Sequence, residues 1–178
     1  MSDLKNKKVA ILSADGFEQS ELESPLKKLK DEGAEVHVIS LKSGEIKGMT
    51  DHKWGNAVKV DKTIDEAKVS DYDALVLPGG VINPDALRNN EKAVKFVKDF
   101  FNENKLVASI CHGPQTLINA EVVKGKKMTS YPSIRKDLEN AGAHWVDEQV
   151  IKDGNLITSR NPSDLDAFNS KIVETLSA

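Results

Sequence analysis

Short apolar runs rich in β-branched residues alternate with longer stretches of helical period along this chain of 178 residues. The four strongest runs cover residues 9–12, 35–39, 74–77 and 106–110. Apolar residues recur every three or four positions after the first, third and fourth of them. This alternation is typical of a parallel sheet with crossover helices, and it predicts an α/β fold. No internal repeat, low-complexity tract or Pro/Ser-rich linker divides the chain, so we expect one domain over residues 1–178.

Composition and charge restrict the class of protein. The chain has 28 acidic and 25 basic side chains, and this slightly acidic balance argues against nucleic acid as a stable partner. No apolar run approaches the roughly 20 residues that cross a bilayer, so no membrane partner is expected. The first residues lack the apolar core of a signal peptide, and the single cysteine cannot form an internal disulfide. We therefore expect a cytoplasmic protein in a reducing compartment.

Turn and capping residues predict where several elements begin and end. Ser20 followed by Glu23 resembles a capping box at the start of the first helix. A later helix is expected to begin at Asp85. Polar segments that contain glycine predict a hairpin and loop over residues 44–56 and another hairpin over residues 150–158.

Residues with catalytic potential directly follow three of the predicted strands. The segments are Asp15-Gly16-Phe17-Glu18, Pro78-Gly79-Gly80 and Cys111-His112-Gly113-Pro114. In an open α/β sheet, ligands bind outside the carboxyl ends of the strands. If the strands are neighbours, an acid, a glycine-rich turn and the one cysteine of the chain lie in a single crevice.

Cys111 stands between a buried strand and a helix with no linker residues, which is the arrangement of a nucleophile elbow. The N-terminus of a helix also favours the thiolate and is expected to lower the pKa of this thiol. A lone cysteine is more often a small buried apolar residue. The preceding strand, the sharp turn and the adjacent His112 favour the interpretation of Cys111 as a nucleophile instead.

His112 could act as a general acid or base near neutral pH. Because it is adjacent to Cys111, its side chain is expected to point away from the cysteine, so a direct hydrogen bond depends on local geometry. The alternative is a histidine packed at an interface. The backbone N–H of His112, together with those of Gly79 and Gly80, is predicted to form an oxyanion hole.

Glu18 is the predicted acid of the site. It is expected to be partly buried and protonated, to hydrogen-bond the thiolate and to move a proton during the reaction. The alternative is a carboxylate that is merely favourable near the N-terminus of a helix. Glu21 and Glu23 are expected to be charges on the helix surface. Asp85, taken alone, is an acid at a helix start, where acids are common.

No metal or cofactor is predicted. The four histidines are scattered without the spacing of metal ligands, and neither CxxC nor HExxH occurs. The sequence also lacks the glycine-rich motifs of phosphate loops and dinucleotide sites, GxxxxGK[ST] and GxGxxG.

The chain resembles the PfpI branch of the ThiJ/PfpI superfamily. Its most specific matching segment is Ser109-Ile110-Cys111-His112-Gly113-Pro114. The other matching segments, in order over nearly the whole chain, are residues 15–18, 73–80, 129–132 and 159–165. This resemblance implies a flavodoxin-like three-layer α/β/α sandwich with a mostly parallel sheet. It also implies a homodimer or a higher homo-oligomer with the active site near the subunit interface.

Carried over by position, the resemblance implies roles for four residues. Cys111 matches the family's nucleophile, Glu18 its cysteine-contacting acid and His112 the histidine of its triad. Asp85 falls where this branch has an acid that reaches the histidine from the neighbouring subunit, although the link before it is one residue longer here. The insert-like segment 51–55 is expected to reshape the pocket mouth.

The resemblance and the residues together predict a cysteine-dependent stress-response enzyme of the glutathione-independent glyoxalase or protein deglycase type. The Cys111 thiolate would add to a reactive dicarbonyl such as methylglyoxal, or to its adduct on an amine or thiol of a protein or peptide. Glu18 or His112 would then move a proton between neighbouring carbons, giving a thioester that water hydrolyses. One alternative is an intracellular cysteine peptidase, with His112 protonating the leaving amine and Asp85 orienting the histidine. The other is a redox-sensing or chaperone protein that uses the same thiol.

Overall fold

A seven-stranded sheet forms the centre of the computed structural model, which describes residues 3–178. The strands, in chain order, are β1 (Lys8–Leu12), β2 (Phe17–Glu18), β3 (Glu35–Ser40), β4 (Glu45–Thr50), β5 (Lys53–Lys59), β6 (Lys62–Thr63), β7 (Ala74–Leu77), β8 (Leu106–Ile110), β9 (Lys127–Met128), β10 (His144–Trp145), β11 (Ile151–Asp153) and β12 (Leu156–Ser159). The helices are α1 (Gln19–Asp31), α2 (Ile82–Arg88), α3 (Glu91–Asn102), α4 (Pro114–Asn119), α5 (Arg135–Asn140) and α6 (Leu165–Ser177). Single 3₁₀ turns lie at Val69–Asp71, Pro132–Ile134 and Pro162–Asp164.

The order of strands in the central sheet is β11-β12-β8-β7-β1-β3-β6, and every neighbouring pair is parallel except β11 with β12. Parallel neighbours require crossover connections, which commonly contain helices. Helices α1 and α6 contribute to the core on one face of the sheet, and α2 to α5 contribute to the core on the other. The predicted flavodoxin-like three-layer sandwich is therefore confirmed.

The central strands of this sheet are buried on both faces. Val9 and Ile11 of β1 belong to the core that includes α1 and α6, whereas Ala10 and Leu12 belong to the opposite core. Because successive side chains on a strand point to opposite faces, such a strand must be apolar at every position. This explains the uninterrupted apolar runs in the sequence. Within residues 3–178, no helix combines the length and the apolar character that crossing a membrane requires.

The β4–β5 hairpin is attached to the segment that follows β1. Strand β2 pairs in parallel with β4, and the Asp15 side chain accepts a hydrogen bond from the Lys47 N–H at 2.7 Å. Asp51 and His52 form the turn of the hairpin, with φ angles of +50° and +63°. A two-residue turn with positive φ angles matches the twist of the flanking strands. This hairpin and the β11–β12 hairpin confirm the two hairpins that the sequence predicts.

Two predicted helix starts are wrong. Helix α1 begins at Gln19, its N-cap position is Glu18, and no side chain caps it. Strand β2 runs directly into this helix, so Ser20 already lies inside the first turn. Helix α2 begins at Ile82, about one turn earlier than predicted. Pro84 lies in its first turn, where a missing N–H breaks no intrahelical hydrogen bond.

Asn83 joins two loops at the carboxyl edge of the sheet. Its Oδ1 accepts a hydrogen bond from the Ala14 N–H at 2.7 Å. Its Nδ2 donates to the carbonyl oxygens of Pro78 and Gly79 at 3.1 and 3.0 Å. The side chain is fully buried, so solvent does not compete for these hydrogen bonds. The amide therefore holds the loop after β1 against the loop after β7.

Replacing Asn83 by alanine is expected to lower the free energy of unfolding by about 2–4 kcal/mol, because one buried N–H and two buried carbonyl groups lose their partner. Urea denaturation of the wild type and the variant measures the difference. Asn56, an exposed residue of β5, provides the control, since its replacement by alanine should change the free energy by no more than about 0.5 kcal/mol. Equal midpoints for Asn83→Ala and the wild type would contradict this role.

Candidate active site

Cys111 occupies a strained turn immediately after β8. Its φ angle is +63°, in the left-handed region that residues with side chains rarely adopt. The Cys111 N–H donates to the Ser159 carbonyl oxygen at 3.1 Å, and the Cys111 carbonyl oxygen accepts from the Tyr131 N–H at 2.9 Å. These two hydrogen bonds connect the turn to the end of β12 and to the segment around Tyr131, and they stabilise its backbone conformation. The predicted succession of strand, elbow and helix is confirmed.

Cys111 lines a cavity of about 400 Å³ at the carboxyl edge of the sheet, and the residue is only 7% exposed. The predicted convergence of three loops is confirmed, because Gly16, Gly80 and His112 line the same cavity. A cavity of this volume has the size of a small-molecule site.

The carboxyl group beside the thiol belongs to Glu21, and not to Glu18 as predicted. Glu21 is fully buried, and its Oε1 accepts a hydrogen bond from the Gly79 N–H at 2.9 Å. The Cys111 Cβ and the Glu21 Oε1 lie against the same Gly79, so this carboxyl group is next to the thiol. The acid that contacts the cysteine is therefore three residues further along the chain than the sequence suggested.

The register of helix α1 explains why Glu21 is buried. Glu21, Pro25 and Leu29 are spaced by four residues and lie on the buried side of this helix. Glu18 precedes the helix and lies half-buried in the lining of the cavity. The prediction of a surface charge at Glu21 is wrong for this reason. The four-residue spacing from Pro25 and Leu29 is the sequence signal that would have identified it.

Burial makes Glu21 a proton donor at neutral pH. It raises the pKa of the Glu21 carboxyl group from 4.5 to about 8, and the hydrogen bond from Gly79 offsets only part of this increase. Burial also raises the pKa of the Cys111 thiol, and a charge on Glu21 raises it further, whereas the N–H groups of Gly80 and His112 lower it. The expected depression of the cysteine pKa is therefore wrong in direction. Acid and thiol are both protonated in the resting site.

The backbone N–H groups of Gly80 and His112 favour the thiolate and lower the pKa of Cys111. The third predicted donor, the N–H of Gly79, is occupied by Glu21, so it orients the acid instead. Position 79 requires glycine, because a Cβ there would lie 2.5 Å from the Glu21 Oε1 and 2.7 Å from the Cys111 Cβ. Gly79 is therefore not available as an oxyanion donor, and the oxyanion role of Gly80 and His112 stays a prediction.

The His112 ring turns toward Cys111, contrary to the expectation that it points away. Its Nδ1 lies 3.3 Å from the cysteine Sγ, and its Nε2 lies 3.1 Å from the Ser133 hydroxyl oxygen. The ring stacks on Tyr131 with 4.8 Å between the ring centroids. Burial lowers the pKa of His112, which favours the neutral imidazole at neutral pH.

Asp85 does not contact His112 within this chain. It lies exposed in the first turn of α2 and does not line the cavity. Within residues 3–178, the hydrogen-bond partner of the His112 Nε2 is Ser133. The predicted contact of Asp85 with the histidine of a neighbouring subunit stays a prediction.

The cavity mouth carries ionisable side chains from two segments. Glu18 at the end of β2 interacts electrostatically with Asp51 and His52 of the hairpin turn, and all three line the cavity. Partial burial and the charge of Asp51 raise the pKa of Glu18. The segment 51–55 therefore shapes the mouth through its first two residues. Across residues 3–178, no group of three or more His, Cys, Asp or Glu side chains is arranged to hold a metal ion.

The model of the DJ-1/PfpI family matches residues 7–175 of this chain. The chain is 52% identical over 169 residues to "Deglycase TK1284" of Thermococcus kodakarensis, and the alignment covers 95% of this chain and 99% of that protein. It is 45% identical over 172 residues to "Putative cysteine protease YraA" of Bacillus subtilis, and this alignment covers 96% of this chain and 99% of that protein. The solved structure of Drosophila melanogaster DJ-1beta is similar with a TM-score of 0.88 and 32% identity, over 99% of this chain and 91% of that one.

The raised pKa of Glu21 predicts a pH dependence of stability. The folded protein retains this proton up to about pH 8, whereas the unfolded chain loses it near pH 4.5. The stabilising contribution is therefore complete below pH 4.5 and is lost as the pH rises to 8, by roughly 3–5 kcal/mol. The side chain of Glu21→Gln cannot ionise, so the variant does not lose this contribution. Its free energy of unfolding relative to that of the wild type should therefore increase by that amount between about pH 4.5 and 8.5.

Urea denaturation of both proteins at the two pH values measures this gain. Glu23→Gln makes the same change on the same helix at a residue that does not line the cavity, so it is the matched control and should follow the wild type. If the free energy of unfolding depended on pH in the same way in the wild type and in Glu21→Gln, a neutral buried carboxyl group would be contradicted.

Ser133→Ala removes the partner of the His112 Nε2. The substitution is expected to change which ring nitrogen carries the proton, because only Nδ1 then keeps a fixed neighbour. ¹⁵N NMR of the imidazole nitrogens measures the tautomer. Ser133→Thr retains a hydroxyl group and should preserve the wild-type resonances. Unchanged His112 resonances in the alanine variant would show that this contact does not orient the ring.

Proposed function

This chain belongs to the DJ-1/PfpI family, and from that premise we propose that it is a deglycase, a cysteine-dependent enzyme that acts on reactive dicarbonyls or on their adducts with amines and thiols. The observation that carries the proposal is the pairing of Cys111 with a protonated Glu21 at a cavity of small-molecule size. Attack on a carbonyl carbon followed by proton transfer needs such a thiol and such an acid. The relative TK1284 bears the name deglycase.

In the first step, Cys111 adds to the aldehyde carbon of the dicarbonyl. The His112 Nδ1, at 3.3 Å from Sγ, takes the thiol proton as the S–C bond forms. The former carbonyl oxygen gains negative charge, which the N–H groups of Gly80 and His112 stabilise until a proton reaches it. When the dicarbonyl is present as an amine adduct, sulfur displaces the amine from the same carbon and the thiol proton goes to the leaving amine.

The second step moves a hydrogen between neighbouring carbons. A base removes the proton from the carbon bonded to sulfur, while Glu21 donates a proton to the oxygen of the adjacent carbonyl group. The base then protonates the adjacent carbon, and the hydroxyl group on the sulfur-bearing carbon returns a proton to Glu21, which gives the thioester of a hydroxy acid; water hydrolyses it to restore the thiol. The aldehyde carbon is oxidised as its neighbour is reduced, so no other oxidant is consumed. A pKa of about 8 allows Glu21 to give and regain a proton near neutral pH.

The peptidase alternative is not favoured. It requires Asp85 of a neighbouring subunit to orient His112, whereas the His112 Nε2 already has Ser133 of the same chain as its partner. The redox-sensing alternative also fits the site poorly, because oxidation-sensitive thiols are exposed and have low pKa values. Burial instead raises the pKa of Cys111.

We further propose that the substrate is a small aldehyde or a glycated protein or peptide. The chain would act as one domain within a homodimer or a higher homo-oligomer in the cytoplasm. Support for the assembly comes from Val81, Ile82 and Tyr131, which line the cavity and are 63%, 45% and 40% exposed. Exposed apolar surface of this kind marks interaction sites.

Cys111→Ser is expected to reduce the release of lactate from methylglyoxal, measured without glutathione, by at least about 10³-fold, because a hydroxyl group is a far weaker nucleophile than a thiol. Glu21→Gln keeps the thiol but cannot supply the proton, and it should reduce the rate by about 10²-fold. Circular dichroism verifies that both variants are folded. Turnover by Cys111→Ser at the wild-type rate would overturn the proposal.

A further inference from the structure

The segment between β12 and α6 contains a buried carboxylate that the proposed reaction does not use. Asp164 is the last residue of the 3₁₀ turn Pro162–Asp164 and is only 2% exposed. Its Oδ2 accepts hydrogen bonds from the backbone N–H of Arg160 at 3.0 Å and from the Arg160 Nε at 2.9 Å. Its Oδ1 accepts from the Arg160 Nη2 at 3.0 Å. A single residue therefore binds this carboxylate through both its backbone and its side chain.

The guanidinium group of Arg160 compensates the buried charge of Asp164. The two side-chain hydrogen bonds form a bidentate pair, which is the strongest arrangement of these groups. The Arg160 Nη1 donates to the Asp147 Oδ1 at 2.9 Å, so the guanidinium group is also held on its outer side. Buried ion pairs add little net stability in comparison with apolar residues of the same size. The effect of this pair on local geometry is therefore of more interest than its contribution to the free energy of unfolding.

The backbone that carries Asp164 has a fixed position relative to the sheet. The Asp164 N–H donates to the Asn161 carbonyl oxygen at 3.0 Å, and the Asn161 Oδ1 accepts from the Ser163 N–H at 3.0 Å. Helix α6 follows directly, and its residues Leu165 and Phe168 belong to the core on one face of the sheet. The carboxylate is therefore attached to a rigid part of the fold.

The peptide group between Ser159 and Arg160 connects this carboxylate to the nucleophile. Its N–H donates to the Asp164 Oδ2, and its carbonyl oxygen accepts from the Cys111 N–H at 3.1 Å. A trans peptide group is planar and its N–H and C=O point in opposite directions, so a fixed N–H also fixes the direction of the carbonyl group. An N–H that donates to a carboxylate also polarises the carbonyl group of the same peptide, which makes the oxygen a better acceptor.

The Cys111 turn depends on such external contacts. Its φ angle of +63° lies in a strained region, which a residue occupies only when its surroundings hold it there. This angle determines the direction of the thiol, whose Sγ lies 3.3 Å from the His112 Nδ1. Without the Ser159 carbonyl oxygen in place, the cysteine N–H loses its partner and the turn can relax. The thiol then moves away from its base.

We propose that Asp164, paired with Arg160, is a positioning residue that holds the Cys111 turn in its reactive conformation through the peptide group between residues 159 and 160. Asp164 does not line the cavity, so it acts through this peptide group and not on the substrate. The inference rests on the proposed function, since it concerns the orientation of the same nucleophile. The alternative is that the ion pair only stabilises the start of α6.

Amide hydrogen exchange, followed by NMR, tests the connection without any substrate. The measured quantity is the exchange rate at Cys111 divided by that at Val107, whose N–H donates to the Asn155 carbonyl oxygen at the other end of the same strand pair. Asp164→Ala should raise this exchange ratio about tenfold, the effect of losing one hydrogen bond. A general loss of stability would accelerate both amides and leave the exchange ratio unchanged.

Two further variants and a control sharpen this measurement. Asp164→Asn keeps an oxygen that can accept from the Arg160 N–H, so it should restore most of the protection of Cys111. Arg160→Lys keeps the charge but not the bidentate geometry, and it should raise the exchange ratio about threefold. Asp99→Ala, which removes the acid of an ion pair with Lys95 on α3 at 2.6 Å, is the matched control and should leave the exchange ratio unchanged.

Steady-state kinetics with methylglyoxal test the consequence for catalysis. Asp164→Ala should lower kcat about 10- to 100-fold and change KM by no more than about twofold, because the orientation of the thiol changes and the cavity that binds the substrate does not. Asp164→Asn should recover most of the rate, and Asp99→Ala should match the wild type. Circular dichroism verifies that each variant is folded.

The possible outcomes distinguish the two proposals. An exchange ratio that stays at the wild-type value in Asp164→Ala and Arg160→Lys would overturn the positioning role, and so would a wild-type kcat in a variant whose exchange ratio has risen. A raised exchange ratio without turnover by the wild type would support the connection between Asp164 and the cysteine turn and overturn the proposed function. A raised exchange ratio together with a reduced kcat would support both.

Discussion

The hydrogen bond from the Gly79 N–H to the Glu21 carboxyl group is the contact on which the site depends. It fixes the acid beside Cys111, and it is possible only because position 79 has no side chain. Asn83 binds the carbonyl oxygens of Pro78 and Gly79, so the same loop is held from a second side. A buried carboxyl group without such partners would cost considerably more free energy to desolvate. Acid, loop and thiol are therefore positioned together.

In the resting site, the Glu21 carboxyl group and the Cys111 thiol are both protonated and uncharged. Burial disfavours a thiolate and a carboxylate side by side, so the raised pKa values of Glu21 and Cys111 have the same cause. In the proposed reaction, an incoming carbonyl group provides an atom on which negative charge can develop next to the N–H groups of Gly80 and His112. Reactivity is then created by the substrate's arrival and does not require a permanently ionised thiol.

Local patterns in the sequence predict the strands, the hairpins and the cysteine elbow, because apolar period and turn residues act over a few neighbours. The choice between Glu18 and Glu21 depends on where α1 begins, because Glu18 precedes the helix whereas Glu21 lies on its buried side. The contact between Cys111 and His112 depends on a positive φ angle, which changes the relative direction of adjacent side chains. The hydrogen bonds of Asn83 join segments up to 69 residues apart, beyond the reach of any local pattern.

The hydrogen bond between the Cys111 N–H and the Ser159 carbonyl oxygen has a consequence for biosynthesis. Strand β12, which ends at Ser159, lies far downstream of the elbow and also pairs with β8. A ribosome delivers the chain from its N-terminus, so the thiol emerges well before the strand that holds its backbone. A nascent chain that stops short of β12 lacks one of the two backbone hydrogen bonds that hold the cysteine turn. The geometry of the nucleophile is therefore completed only after β12 has been synthesised.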